Sequence, residues 1–213
     1  MEDDFDDLAY HRDTVSILVT SGFFNEDDLE DYLADLALDP DGAPHAAAVA
    51  DHARAQFAAK RTAEAGWPAV TDCDRLDGAF AALETDGILG LHNAGMTTSD
   101  AHADAWELIG RDPPGTWLGF AYYHGQDIER VVAGNPLFIG FDAVAEGRAA
   151  KSTVGEAIMG ALHGAGFAPE WNGDPETRLQ VPGIVWQRRT NWVRPALPPQ
   201  AEAGNSIWRR IFG

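Results

Sequence analysis

From residue 71 to residue 187, short apolar runs alternate with segments in which apolar side chains recur at helical spacing. The runs Ile88 to Leu91, Trp117 to Tyr123 and Leu137 to Phe141 have the length and composition of buried strands. A helical segment separates each of these runs from the next. This order predicts a partly parallel sheet flanked by helices.

Further elements complete the predicted domain. Helices are expected at 71–85, from 98 or 99 to 109, at 128–132 and at 153–163. Thr153 is expected to cap the last of these helices. Two more strands are expected near Phe167 to Trp171 and from Leu179 to Gln187, and Pro182 places the second of them at a sheet edge or a bulge. The predicted fold class is therefore α+β, with a mixed, partly parallel sheet of about five strands flanked by helices.

The first 66 residues predict an N-terminal helical unit. Apolar residues recur at helical spacing through 5–21, and an alanine-rich helix is expected over about 44–65. Between them, Asn25 is placed to cap a helix that has Asp28 at its third position, and Leu29 begins the buried stripe of that helix.

The charge of the chain is large and uneven. The formal net charge is −19 at pH 7, and residues 1–41 hold 14 acids against Arg12 alone. From Arg178 onward, six arginines face a single acid, Glu202. An exposed nucleic-acid-binding face is therefore not expected. We expect the acidic segment 1–41 and the basic segment from Arg178 onward either to attract each other, within one molecule or between two, or to be separately solvated.

Composition predicts a soluble cytoplasmic protein. With 45% hydrophobic and 23% charged residues, the chain is expected to be globular, and no apolar run approaches the length of a membrane span. Its acidic start is unlike a secretory signal. The single cysteine, Cys73, excludes an internal disulfide and a Cys-rich zinc site. Because Asp72 and Asp74 oppose thiolate formation, we expect Cys73 to be a core residue.

Four segments are expected: an acidic helical unit at 1–66, a core domain of α/β type at 67–193, a Pro-rich linker at 194–204 and a basic amphipathic tail at 205–213. The tail carries Trp208, Arg209 and Arg210 among apolar residues. Its expected role is to dock on its own domain, to bind a groove of a partner, or to rest on an anionic membrane surface. So short a segment buries little area, which disfavours autonomous membrane anchoring.

Polar residues follow the predicted strands. Parallel strands bring their carboxyl ends to one edge of a sheet, where open α/β sheets bind ligands. If the first three strands are parallel neighbours, a candidate pocket forms there from His92, Asn93, Thr97, Ser99, His124, Gln126, Asp127, Glu129 and Asp142. Two imidazoles with a carboxylate suit a divalent metal or a general acid and base. No resident metal is assigned, and the cofactor is unknown.

The same residues have purely structural interpretations. Asp127 is placed to cap the short helix that follows, His124 to bond a neighbouring backbone group, and Asn93 to occupy a turn. The connection after His124 is close to the minimum length of a parallel crossover. If it is a hairpin-like return instead, Asp142 leaves the edge, and His92 and His124 remain as a pair.

A second candidate surface combines aromatic and basic side chains near the end of the chain. Its members are Trp171, Arg178, Arg188, Arg189, Trp208, Arg209 and Arg210. Tryptophan and arginine suit protein hot spots or single-stranded nucleic acid, whereas strand alternation would turn some of these rings into the core. The sequence contains no GxSxG, GxxxxGK[ST] or HExxH motif.

Three stretches carry a family resemblance. They are CDRLDGAFAALETDGILGLHNAG (73–95), YYHGQDIERVVAG (122–134), and VGEAIMGALHGAGFAPEWNG (154–173) followed by VWQRR (185–189). Over about residues 70–190 the chain resembles an uncharacterised bacterial family, best known from actinobacteria and described only as a domain of unknown function. The resemblance implies no established activity, cofactor or catalytic residue.

Two functional hypotheses follow. The polarised charge and the tryptophans beside arginines favour a noncatalytic cytoplasmic interaction or regulatory protein that binds a protein partner or self-associates. The competing hypothesis is a small-molecule-binding or metal-dependent enzyme that uses His92 and His124 at the sheet edge. The second requires the two imidazoles to lie within roughly 5 to 6 Å of each other, with a carboxylate closing the triangle.

Overall fold

The computed structural model describes residues 7–190, so the predicted linker and tail, including Trp208, Arg209 and Arg210, lie outside the described residues. The described elements are α1 (Asp7–Ser21), α2 (Glu26–Leu38), a 3₁₀ helix (Ala43–His45), α3 (Ala46–Glu64), α4 (Asp72–Thr85), β1 (Ile88–Leu91), α5 (Thr98–Ile109), β2 (Gly119–Tyr122), α6 (Gly125–Val132), β3 (Leu137–Ala143), α7 (Arg148–Gly164) and β4 (Leu179–Val181). None of the helices in this part of the chain is long and apolar enough to cross a membrane.

The described residues form two compact units. The helical unit comprises residues 7–71 together with 187–190, and the sheet unit comprises residues 72–186. The division of the sequence into four segments stays a prediction.

Apolar faces of α1, α2 and α3 hold the helical unit together. α1 and α2 each pack against α3. The predicted cap of α2 is confirmed: Asn25 Oδ1 accepts hydrogen bonds from the N–H groups of Asp27 (2.7 Å) and Asp28 (3.1 Å), and Asp28 Oδ2 accepts one from the N–H of Asn25 (2.8 Å). The cap therefore satisfies donors that the first turn cannot pair internally. The buried core residues are Val15, Val19, Leu29, Leu36, Val49, Ala53 and Phe57.

The sheet unit contains a sheet with the strand order β1-β2-β3-β4. β1 pairs parallel with β2, with Leu91 opposite Tyr122. β2 pairs antiparallel with β3, with Phe120 opposite Asp142, and β3 pairs antiparallel with β4. The α+β fold class and the mixed sheet with one parallel pair are confirmed.

The condition that the first three strands are all parallel neighbours is not met, and the hairpin-like alternative holds: β2 and β3 are antiparallel. A parallel crossover must return the chain along the whole strand, and the seven residues of β3 extend over about 23 Å. The eight residues of α6 span about 12 Å. The connection between β2 and β3 is therefore close to the minimum length of a parallel crossover, and the chain turns back so that β3 runs antiparallel to β2.

Residues 7–190 form four strands rather than about five. The segment 167–171 makes only an isolated bridge, between Glu170 and Gln180. Pro169 lies in this segment and has no N–H to donate to a ladder, which opposes strand formation there. β4 likewise ends at Val181, directly before Pro182.

Helix α7 begins five residues earlier than predicted, at Arg148. Thr153 therefore lies inside the helix and does not cap it. Its hydroxyl donates a hydrogen bond to the carbonyl oxygen of Ala149 (3.0 Å), which is the bond a threonine makes inside a helix.

Helices cover both faces of the sheet. α4 and α7 lie on one face, where Gly90 of β1 approaches Phe80 of α4. α5 lies on the other face, where its Ala101 and Ala105 pack in one cluster with Phe120. We call this second side the α5 face. Because side chains alternate along a strand, the position of a residue decides which face it occupies and which polar groups it meets.

Candidate functional site

The two histidines of the predicted site lie at the same end of the sheet but on opposite faces. His92 follows β1 and His124 follows β2, and these strands are parallel. His92 contacts the ring of Tyr123, whereas His124 contacts the ring of Tyr122 on the α5 face. Because successive residues of a strand point to opposite faces, the sheet separates the imidazoles. The structure does not bring the predicted pair together.

His92 is enclosed between α4 and the sheet. Its Nδ1 lies 2.7 Å from the hydroxyl of Tyr123 and 3.6 Å from Oδ1 of Asp77, and its ring centre lies 4.6 Å from that of Phe80. Only 5% of the His92 side chain is exposed. These contacts tie α4 to the end of β1 and keep the ring away from solvent.

His124 belongs to a polar cluster on the α5 face, which we call the sheet-face cluster: Thr98, Tyr122, His124, Asp127 and Arg178. Tyr122, His124 and Asp127 are buried, Arg178 is partly exposed and Thr98 is exposed. Nη1 of Arg178 lies 2.9 Å from Nε2 of His124. Because a guanidinium only donates hydrogen bonds, Nε2 is the acceptor, and the neutral ring carries its proton on Nδ1. Burial lowers the pKa of His124; Asp127 opposes the shift and Arg178 adds to it.

Arg178 and Asp127 form the ion pair of the sheet-face cluster. Nη2 of Arg178 lies 2.5 Å from Oδ1 of Asp127, and Nη1 lies 3.3 Å from Oδ2, so the pair is bidentate. Oδ2 also accepts a hydrogen bond from the backbone N–H of His124 (3.1 Å), which is the predicted capping role of Asp127. Nδ1 of His124 lies 3.1 Å from the same oxygen but is not aligned for a hydrogen bond. The pair connects Arg178, the residue before β4, to Asp127 at the start of α6.

Tyr122 lies beside this ion pair. Its ring crosses Gly140 of β3 so closely that a Cβ on Gly140 would overlap it. Burial raises the pKa of Tyr122, although the hydrogen bond with Thr98 and the charge of Arg178 act in the opposite direction. The sheet-face cluster therefore combines one ion pair with a neutral phenol and a neutral imidazole.

Partly exposed residues border the sheet-face cluster. Nδ1 of His102 lies 4.0 Å from Oδ2 of Asp142, and Nζ of Lys151 lies 3.7 Å from Oδ1 of Asp142. Burial lowers the pKa of His102, with Asp142 opposing the shift and Lys151 adding to it. Because β3 is antiparallel, Asp142 leaves the strand end where His124 lies. Asp142 therefore does not accompany both imidazoles, as the hairpin-like alternative expects.

The other predicted pocket residues lie in turns and at helix starts. Thr97 caps α5: its Oγ1 accepts a hydrogen bond from the N–H of Asp100 (3.4 Å), and Oδ2 of Asp100 accepts one from the N–H of Thr97 (2.9 Å). Asn93 is an exposed turn residue with φ of 51°, as its structural interpretation predicts. The remaining residues, Ser99, Gln126 and Glu129, are exposed. Of the predicted set, the structure gathers His124 and Asp127, with Asp142 at the margin.

The contacts of the sheet-face cluster indicate a structural role, in which its side chains hold neighbouring elements together. Among residues 7–190, no group of three or more His, Cys, Asp or Glu side chains is arranged to hold a metal ion. In the cluster, Arg178 occupies the lone pair through which His124 would ligate a metal or accept a proton. Asp127 is only 1% exposed. Arg178 pairs with Asp127 and with Nε2 of His124, whereas Nδ1 of His124 has no hydrogen-bond partner among the described residues. The cluster joins α5, α6 and the strand end of β2 to the residue before β4.

An exposed apolar patch lies on the same side of the sheet unit. Trp106 of α5 and Leu118, next to β2, are each 43% exposed, and Val144, next to β3, is 38% exposed. The N–H of Val144 donates to the carbonyl oxygen of Leu118 (2.8 Å), so these residues are cross-strand neighbours. The Trp106 ring lies edge-on to Phe120, with 5.6 Å between centres. We call Trp106, Leu118 and Val144 the Trp106 patch.

Acidic residues are close in sequence to the Trp106 patch. Glu107 follows Trp106, and Glu146 lies two residues beyond Val144. Asp86 precedes Gly87, whose carbonyl oxygen accepts the N–H of Leu118 (2.7 Å). Residues 72–186 carry 17 acids and 6 basic residues, a formal charge of −11. Glu107 is paired with Arg111, so the negative character around the patch comes from the net charge of the unit.

A family model covers both units. The model, described as a domain of unknown function (DUF6891), matches residues 4–190. The chain belongs to the DUF6891 family. No curated protein matches the chain, and no solved structure matches it. The predicted membership of a family of unknown function is confirmed, and the bacterial, largely actinobacterial origin stays a prediction.

In this DUF6891 domain, the described members of the predicted surface of tryptophans and arginines make contacts within their own units. Arg188 is 1% exposed and its guanidinium lies 4.6 Å from the ring centre of Phe23, so it is not a surface contact. Trp171 donates its indole N–H to two carbonyl oxygens of its own loop (3.1 and 3.2 Å). Arg178 belongs to the sheet-face cluster, and Arg189 donates to the carbonyl oxygen of Pro68 (2.7 Å). These side chains act in local packing within their own units.

Sequence reasoning missed several residues that surround His124 in the DUF6891 domain. Tyr122 could have been predicted, because it is two residues from His124 and residues two apart on a strand share a face. Thr98 and His102 are four apart in α5 and share a helical face. Arg178 had no such signal, since its partner Asp127 is 51 residues away in sequence.

Proposed function

We propose that the chain is a noncatalytic interaction module whose binding surface is the Trp106 patch. The observation that carries the proposal is the exposure of Trp106 beside Leu118 and Val144. Tryptophan is enriched at binding hot spots, and clustered exposed apolar side chains mark interaction sites. The partner is a protein, and an acidic surrounding surface favours a partner segment that carries basic as well as apolar side chains.

The size of the patch supports a measurable contact. Trp106 exposes about 100 Å² if a tryptophan presents about 250 Å² in full. At about 25 cal/mol per Å², its complete burial is worth up to about 2.5 kcal/mol. That contribution is of the size that defines an interface hot spot.

The placement of the histidines favours this function over catalysis by His92 and His124. The two rings occupy opposite faces of the sheet. His92 is enclosed by Phe80 and Tyr123, and Nε2 of His124 accepts a hydrogen bond from Arg178. Both rings therefore serve packing. We also propose a cytoplasmic location, which the single, buried thiol of Cys73 supports.

Quantitative capture with the full chain tests the proposal. Trp106→Ala is expected to reduce binding of the captured polypeptide by about 30-fold, the effect of losing about 2 kcal/mol. The matched control is Leu38→Ala, which removes an exposed apolar side chain from the helical unit. Equal binding by wild type and Trp106→Ala, or equal losses in both variants, would contradict the proposal.

A small-molecule-binding site is the second candidate. It is favoured by the partly exposed side chains of His102, Asp142 and Lys151, which border the buried Tyr122. Thermal-shift screening with small polar organic compounds would test it. A stabilising compound is expected to lose its effect in His102→Ala and to keep it in Leu38→Ala. A compound that stabilises all three proteins equally would count against this site.

A further inference from the structure

We propose that residues 205–213 of the chain occupy the Trp106 patch of the same molecule, so that a partner must displace them. This inference rests on the proposed function, because it names the first occupant of the proposed binding surface. It selects one role of the predicted tail, docking on its own domain, and assigns the place where the segment binds.

The segment has the chemistry that the Trp106 patch requires. Its sequence from 206 is SIWRRIF, which combines large apolar residues with Arg209 and Arg210 and contains no acid. The patch offers exposed apolar side chains, Glu146 and Asp86 are close to it in sequence, and its unit carries a net negative charge. Apolar contact and opposite charge therefore favour the same pairing. Trp208 is the apolar anchor that we expect to contact Leu118.

A long intervening chain connects the segment to the described residues. Thr190 is held in the helical unit, where its N–H and hydroxyl both donate to Oε1 of Glu64 (2.6 Å each). The 14 residues from 191 to 204 can extend over about 48 Å. Tethering also gives the segment an effective concentration on the order of millimolar, which sustains a weak contact.

Photo-crosslinking in the full-length chain tests the inference. A photoreactive residue is introduced as Leu118→p-benzoylphenylalanine, at a position that is already exposed. The control is Leu38→p-benzoylphenylalanine in the helical unit. We expect crosslinks from position 118 to residues 205–213 within the monomer, in a yield that does not depend on protein concentration. The control position is expected to give a yield at least fivefold lower.

Two changes in the segment sharpen the test. Trp208→Ala, and separately Arg209→Glu with Arg210→Glu, are expected to lower the yield from position 118 at least fivefold. High salt is expected to lower it as well, because the basic side chains face an acidic surface. An unchanged yield in both sets of variants would overturn the inference.

The remaining outcomes separate this inference from the proposed function. Crosslinked dimers that form in proportion to concentration would replace the same-chain contact by the segment of a second copy and overturn the inference. Crosslinks from position 118 only to another polypeptide would also overturn it and would leave the proposed function standing. Equal yields from positions 118 and 38 would overturn the inference and would leave the proposed function to its own test.

Discussion

Replacing Arg178 with methionine is expected to destabilise the sheet unit strongly. The substitution keeps most of the aliphatic stem and removes the guanidinium that pairs with both carboxylate oxygens of Asp127. The carboxylate then stays in a buried position without its counter-charge. The Asp127 carboxylate also accepts the hydrogen bond from the N–H of His124 that caps α6. It therefore cannot turn toward solvent without losing this cap.

The expected cost is about 3 kcal/mol in the free energy of unfolding. Breaking a buried ion pair by removing one partner costs about 3 to 5 kcal/mol, because an uncompensated charge stays buried. Asp127 is 1% exposed, whereas 28% of the Arg178 side chain is exposed. We use the lower end of the range because solvent reaches the guanidinium.

Urea denaturation of the full chain measures this cost. Arg178→Met is expected to lower the midpoint at an unchanged slope. The matched control is Arg148→Met, which breaks the exposed pair of Arg148 with Asp174 and is expected to leave the midpoint unchanged. Replacing both partners, with Asp127→Leu added to Arg178→Met, is expected to recover part of the loss. Equal midpoints for Arg178→Met and Arg148→Met would refute the structural role of the cluster.

Three further predictions use the same denaturation assay. Gly140→Ala is expected to cost about 1 to 3 kcal/mol because its Cβ overlaps Tyr122, whereas Gly160→Ala, with open space around the Cβ, is expected to stabilise α7; similar effects would contradict the packing. Asn25→Ala is expected to cost about 1 kcal/mol through loss of the cap of α2, and an unchanged midpoint would argue against the cap. Burial lowers the pKa of His102 in the folded chain. Below the ordinary histidine pKa of about 6.5, His102 is therefore protonated more fully in the unfolded chain than in the folded chain, which favours unfolding. Stability is therefore expected to fall from pH 7 to pH 5 by more in the wild type than in His102→Gln, and equal losses would contradict this.

Local sequence signals predicted the helices and their caps well. Helical spacing of apolar residues gave α1, α3, α4 and α5 to within a few residues. The cap of α2 depends on Asn25 and Asp28, which are three residues apart, so its chemistry was visible in the sequence. The start of α7 was missed, because Thr153 resembles a cap although its hydroxyl bonds to the preceding turn.

Contacts between distant segments were the part that the sequence left open. The partner of Asp127 is Arg178, and it becomes a neighbour only because β4 pairs with β3. The direction of β3 depends on whether α6 can span the sheet, which is a question of length and not of residue type. The same limit applies to the Trp106 patch, since Leu118 and Val144 meet only across the β2–β3 pairing.

The separation of the two histidines follows from the register of the parallel pair. The observed pairing places Leu91 opposite Tyr122, and it buries both side chains in the core beneath α5. A slip of β1 by one residue would put His92 on the α5 face with His124, but it would turn Leu91 out of that core. Apolar burial therefore fixes the register, and the register holds the imidazoles on opposite faces. A site that used both rings would require the sheet unit to give up the packing of β1 against α5.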